Sequence, residues 1–111
     1  MIDERTLFRT PMWRAIREER IRQMAQGATE AFDDRQPLTQ WATTVLVYAG
    51  KLAQAVDGAN QPSDEPLTDL LQLKGRAVQL AAVCTALGAA VDRGIEGFIA
   101  ERGGNVPGWL E

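Results

Sequence analysis

The sequence predicts an all-α protein, a bundle of three or four helices that ends in one long helix. Two observations support this fold class. Apolar residues recur at steps of three and four along most of the chain, which is the spacing of one helix face. No segment alternates apolar and polar residues for long enough to predict a strand. With 111 residues and 45% apolar content, the chain suits one helical domain, 1–111, with loose ends at 1–9 and 103–111.

The predicted helices follow one another through short connections. The first covers about 11–26, with a hydroxyl cap and a proline at its start and Gly27 as its stop. A polar connector that can hold a short helical turn follows. The second helix is predicted over 38–56, where the apolar spacing is unbroken and Trp41 is expected in the core. A loop at 57–65 contains glycine, asparagine and proline and separates this helix from the last one.

The apolar stripe of the first helix contains two arginines. Trp13, Ile16 and Met24 lie at helical spacing and predict its buried face. Arg17 and Arg20 fall on the same stripe. We therefore expect both guanidinium groups to be half-buried, and a half-buried charge requires a partner.

Two kinds of partner are open for these arginines. The connector after Gly27 carries three acids, Glu30, Asp33 and Asp34, and internal salt bridges to them are the favoured interpretation. In the alternative, Arg17 and Arg20 bind an external anion such as phosphate, because guanidinium groups suit that geometry. All five residues are candidates for an interaction or anion-binding site.

The last helix, predicted from Pro66 onward, carries two apolar stripes. If it runs unbroken from Leu67 to Arg102 it is about 54 Å long, so it either breaks at a glycine or projects into a partner chain. One stripe keeps heptad spacing and comprises Leu70, Leu73, Ala77, Leu80, Cys84, Leu87 and Val91. The other is rich in small residues, which let another backbone come close, and predicts a homodimer interface at Val78, Ala82, Ala86 and Ala90.

The residue inventory excludes several kinds of chemistry. The chain has no histidine, one cysteine (Cys84) and one serine (Ser63), which lies in a polar loop. A Ser-His-Asp or Cys-His arrangement cannot be assembled without an imidazole to accept the proton. Zinc sites built from three or four cysteine and histidine ligands are excluded for the same reason. Carboxylates remain the only candidates for catalysis.

Charge and hydropathy restrict the expected partners and location. A net charge of -3 provides no long-range attraction to nucleic acid or to an anionic membrane, so neither is expected as a partner. The longest uncharged run, 77–91, has 15 residues, fewer than the roughly 20 that a membrane-spanning helix needs. No cleavable signal is recognisable, and a single cysteine cannot form an intrachain disulfide. We expect a cytoplasmic protein.

The acidic connector could supply oxygen ligands to Mg²⁺ from Glu30, Asp33 and Asp34. In this respect the chain is distantly similar to the all-α NTP pyrophosphohydrolases, the MazG-like enzymes. Those enzymes hold a metal with an E-x-x-E pair followed by an E-x-x-D pair. Glu30 and Asp33 match the E-x-x-D pair. The E-x-x-E pair has no counterpart, because Glu19 is followed three residues later by Arg22. This resemblance implies nucleotide binding or Mg²⁺-dependent nucleotide cleavage.

A second pattern extends over most of residues 17–93. It consists of E-R-x-R-Q at 19–23, G-x-T-E-x-x-D-D at 27–34 and Y-A at 48–49. Through these three motifs the chain resembles a group of small uncharacterised phage and prophage proteins, which show a similar pattern. It departs from the group at Phe32, where histidine is usual, and it lacks a tryptophan-rich insertion between the last helices. Because the group has no established activity, the resemblance implies a phage origin.

Together these observations predict a non-catalytic helical interaction protein. It is expected to be a phage-encoded homodimer that binds a host macromolecule, for example as an inhibitor, and it needs no cofactor. The alternative is a nucleotide-binding or nucleotide-cleaving protein that uses Mg²⁺. The tail containing Trp109 and Leu110 cannot form a regular helix, and the sequence assigns it no role.

Overall fold

A computed structural model describes residues 11–103. Over this range the chain forms four helices and no strand: α1 (Met12–Ala25), α2 (Glu30–Arg35), α3 (Leu38–Ala59) and α4 (Pro66–Glu101). The predicted all-α bundle with a long C-terminal helix is confirmed. The expected loose segment at 1–9 and the tail with Trp109 and Leu110 lie outside the described residues.

The ends of the helices follow local chemistry. Gly27 has a φ of +110°, a conformation that side chains disfavour, and it ends α1 as predicted. Pro11 is the N-cap residue of α1 and therefore precedes the first helical residue. The threonine predicted as its cap, Thr10, lies outside the described residues. The α2 helix is capped by Thr29, whose Oγ1 accepts a hydrogen bond from the Phe32 amide at 3.3 Å.

Helix α4 is continuous for 36 residues, about 54 Å, so none of its glycines breaks it. Each of the other three helices packs against it, and α3 makes the most extensive contact. The short connection at 60–65 returns the chain so that α3 and α4 form an antiparallel hairpin.

The hydrophobic core lies within this hairpin. Trp41 near the start of α3 packs against Val83 and Ala86 near the middle of α4. Val45, Tyr48, Leu87 and Ala90 surround this cluster and are half-buried. The prediction that Trp41 is a core residue is confirmed.

The small-residue stripe of α4 is covered within the single chain. Val78, Ala82 and Ala86 are only 2%, 0% and 4% exposed, and Ala90 packs against the Trp41 cluster. The prediction of a homodimer interface at these four positions is therefore wrong. Small residues do admit a neighbouring backbone, but here the chain's own helices cover them.

Helix α4 is also the one helix in the described range that is long and apolar enough to cross a membrane, judged by length and composition. Its best window has a mean hydropathy of 1.3, and 22% of that window is buried inside the chain. The core helix of a soluble protein meets the same criteria. The expectation that a membrane is not a partner therefore stays a prediction.

Candidate functional site

Helix α1 packs with its polar side toward the rest of the molecule. Its buried residues are Ala15, Glu19 and Gln23, which follow one another at steps of four. Trp13 is 62% exposed and Met24 lies at the surface, so the predicted buried stripe is wrong for both residues. The helix is therefore inverted relative to its hydrophobic pattern, with two polar residues among the three that are buried.

Glu19 is the centre of those contacts. Arg22 donates from Nε to Glu19 Oε1 at 2.7 Å and also contacts Oε2 through Nη2. Gln23 donates from Nε2 to Oε2 at 3.2 Å. Arg22 makes a further hydrogen bond, from Nη1 to Gln26 Oε1 at 2.9 Å. A buried carboxylate is costly without partners, and these donors satisfy both oxygens of Glu19.

Arg20 links α1 to α2 through an ion pair with Asp33. The Asp33 side chain is 3% exposed and the Arg20 side chain 14%. Burial raises the pKa of the Asp33 carboxyl above its ordinary value, and the positive charge of Arg20 opposes that rise. The predicted salt bridge between the first helix and the acidic connector is confirmed for this pair.

Asp34 has a partner that the sequence did not indicate. Arg93 on α4 donates from Nε to Asp34 Oδ1 at 2.8 Å, and its Nη2 lies 2.7 Å from the same oxygen. This pair joins α2 to α4 across 59 residues of sequence. The hydrogen bond to Asp34 raises the pKa of Arg93. Asp34 was expected to pair with Arg17 or Arg20, and that expectation is wrong.

Arg17 and Glu30 are both at the surface. Arg17 was expected to be half-buried, and this expectation is also wrong, because the face of α1 that carries it points to solvent. Within residues 11–103, no three acidic or cysteine side chains converge in a way that could hold a metal ion. Of the five candidate residues, the structure thus brings together Arg20 and Asp33 and separates Arg17.

A polar cleft of about 340 Å³ opens beside the Arg20–Asp33 pair, between α1, α2 and the hairpin. Three aromatic side chains contribute to its wall: Phe32, Trp41 and Tyr48. Four amide side chains also line it: Gln23, Gln26, Gln36 and Gln40. The sequence did not indicate the glutamines, because nothing in the local pattern marks a glutamine as part of a cleft.

The outer face of α1 is the second candidate. Trp13, Arg17, Ile21 and Met24 are all exposed and lie on one side of the helix, opposite its buried residues. The guanidinium carbon of Arg14 lies 5.5 Å from the centroid of the Trp13 ring, within the range of a cation–π contact. We call these five residues the α1 outer face.

Comparison with known proteins assigns no family to this chain. No family model matches it, and neither a curated protein nor a solved structure does. The resemblances to phage proteins and to the all-α NTP pyrophosphohydrolases therefore stay predictions.

Proposed function

We propose that this protein is a non-catalytic interaction protein that binds a host protein through the α1 outer face. The observation that carries the proposal is the orientation of α1, which buries Glu19 and Gln23 while Trp13 and Ile21 stay in solvent. Exposing a tryptophan and burying a carboxylate both cost free energy in an isolated chain. Covering the exposed side chains with a partner would recover part of that cost.

The composition of this face suits a protein partner. Tryptophan, arginine and methionine are enriched at protein interfaces, and tryptophan and arginine account for many of the residues that dominate binding. Trp13 would fill an apolar pocket on the partner, and Arg14 and Arg17 would meet acidic groups at its rim. The resemblance to phage proteins supports a host protein as the target, and the single unpaired cysteine supports a cytoplasmic setting.

The proposal is tested by quantitative capture from a host lysate with tagged protein. We expect one protein to be recovered equally by the wild type and by Val47→Ala, an exposed apolar residue on α3 that serves as the matched control. Trp13→Ala should weaken its binding by at least about 30-fold, as expected for a dominant interface residue. Arg17→Glu should also weaken it. Equal recovery by Trp13→Ala and the wild type would refute the proposal.

A second candidate function is nucleotide binding in the polar cleft. The observation that favours it is the presence of aromatic and amide side chains around one concavity, because bases stack on aromatic rings and amides hydrogen-bond to base edges. The two arginines of the cleft, Arg20 and Arg22, already pair with Asp33 and Glu19, which leaves them less suited to phosphate.

Thermal melts separate the two candidates. A nucleotide that binds the native state raises the melting temperature by mass action, with or without Mg²⁺. We expect no rise for any of the common nucleoside mono-, di- and triphosphates at millimolar concentration. A rise that disappears in Gln40→Ala, which changes only the cleft wall, would favour nucleotide binding over the proposed function.

A further inference from the structure

The hairpin has a large apolar face on the side away from α1. Both helices contribute to it, since Leu38, Leu46 and other α3 residues line a shallow apolar groove together with Leu87 of α4. Its α3 members are exposed or half-buried: Leu38, Ala42, Val45, Leu46, Ala49, Ala53 and Val56. Its α4 members are the residues of the heptad seam: Leu70, Leu73, Ala77, Leu80, Cys84, Leu87 and Val91. We call these fourteen residues the hairpin face.

We propose that a second copy of this chain docks on the hairpin face, so that two α3–α4 hairpins form a four-helix bundle. This interface differs from the stripe at Val78, Ala82, Ala86 and Ala90, which is already covered within the chain. It also lies apart from the α1 outer face, so that the dimer can form whether or not a host protein binds there.

The hydrophobic core buried within one chain is small. Within the described range, six apolar side chains are buried: Ala15, Trp41, Val78, Ala82, Val83 and Ala86. Three of them are alanines and only Trp41 is large. By contrast, Leu38 is 76% exposed and Leu46 71%. A domain of this length gains most of its stability from buried apolar surface, and five of its large exposed apolar side chains lie on the hairpin face: Leu38, Leu46, Val56, Leu70 and Val91.

The area of the hairpin face approaches what a stable interface needs. From Leu70 to Val91 the seam is about 32 Å long, and two packed helices are about 20 Å wide, so the face covers about 600 Å² in projection. Apolar patches on monomers rarely exceed this size. A stable interface needs about 800 Å² of accessible surface from each partner, and the accessible area of a ridged helical face exceeds its projection.

The chemistry of the hairpin face suits a second copy of this chain. No residue of the hairpin face carries a charge, so two copies can meet there without electrostatic repulsion. A charged partner surface could form no ion pair with these residues. A small side chain lies between two large ones on part of each helix: Leu38, Ala42 and Leu46 on α3, and Leu80, Cys84 and Leu87 on α4. The large side chains of one copy can therefore enter the gaps beside the small ones of the other.

The proposal is tested by measuring molar mass with light scattering and sedimentation. At about 50 µM, where a moderately tight dimer is saturated by mass action, we expect twice the chain mass of 12.2 kDa. Leu46→Glu should raise the dissociation constant by at least about 100-fold, because each interface would bury two uncompensated charges. The matched control is Val47→Glu, also exposed but turned by about 100° around the helix, which should stay dimeric. Circular dichroism checks that both variants remain helical.

Cys84 gives an independent readout, since it is exposed in the single chain and lies within the hairpin face. Its reaction with a thiol reagent should slow as the wild-type concentration rises, and it should be fast at every concentration in Leu46→Glu. A monomeric wild type at about 50 µM would overturn the proposal. Equal protection of Cys84 from the reagent in the wild type and in Leu46→Glu would also overturn it, because the chain itself would then cover the face. A monomer that floats with lipid vesicles would overturn it as well.

Discussion

The replacement of Trp41 by alanine tests the packing of the hairpin most directly. The side chain is 6% exposed and contacts Val83 and Ala86 on the opposite helix. A buried tryptophan removes about 150–250 Å² from water, which at about 25 cal/mol per Å² corresponds to about 4–6 kcal/mol. Clefts beside Trp41 let water and neighbouring side chains enter the space it leaves. We therefore expect a loss of about 3–5 kcal/mol in the free energy of unfolding.

Trp13 offers a matched control, because the same replacement there removes a side chain that is 62% exposed. We expect Trp13→Ala to change the free energy of unfolding by less than about 1 kcal/mol. Urea unfolding followed by circular dichroism measures both variants, at one protein concentration because dimerisation contributes to stability. Equal losses in the two variants, or a loss below about 1 kcal/mol for Trp41→Ala, would show that the α3 face has been assigned wrongly.

Four further replacements test the polar contacts and the buried stripe. Arg20→Ala should cost about 2–3 kcal/mol in urea unfolding, because it leaves the buried carboxylate of Asp33 without its partner. Because burial raises the pKa of Asp33, its carboxyl group stays protonated to a higher pH in the folded state than in the unfolded state. The stability of the wild type relative to Asp33→Asn should therefore fall as pH rises from 3.8 through the raised pKa, and parallel curves would contradict that direction. Asp34→Asn should leave the urea midpoint nearly unchanged, because solvent reaches and screens its pair with Arg93, in which Asp34 is 43% exposed. Ala86→Glu should unfold the chain at any concentration, as judged by circular dichroism, because it buries a charge. A folded, monomeric Ala86→Glu variant would instead support the prediction of a dimer interface at this stripe.

Much of the fold follows from local sequence. The helices of 38–59 and 66–101 are evident from their apolar spacing, and the positive φ of Gly27 accounts for the end of α1. The pair between Arg20 and Asp33 was also predictable, because the acidic connector follows the arginine-rich helix after a tight stop. These features depend on residues close together in the chain, where spacing and capping decide the conformation.

Tertiary structure alone decided which faces are buried. The apolar stripe with Trp13 predicted one orientation of α1. The structure has the opposite orientation, in which Glu19 is buried together with its contacts to Arg22 and Gln23. The pair between Asp34 and Arg93 depends on two helices meeting across 59 residues, which no local pattern records.

Helix α4 illustrates the same division between sequence and tertiary structure. Its two apolar stripes were both evident in the sequence, but periodicity states only that each residue shares a face with its neighbours at three and four positions. The small-residue stripe is buried and the heptad seam with Leu70 and Val91 remains open. This choice is set by the shape and contacts of the helices that pack against α4, because burial is a property of the assembled bundle.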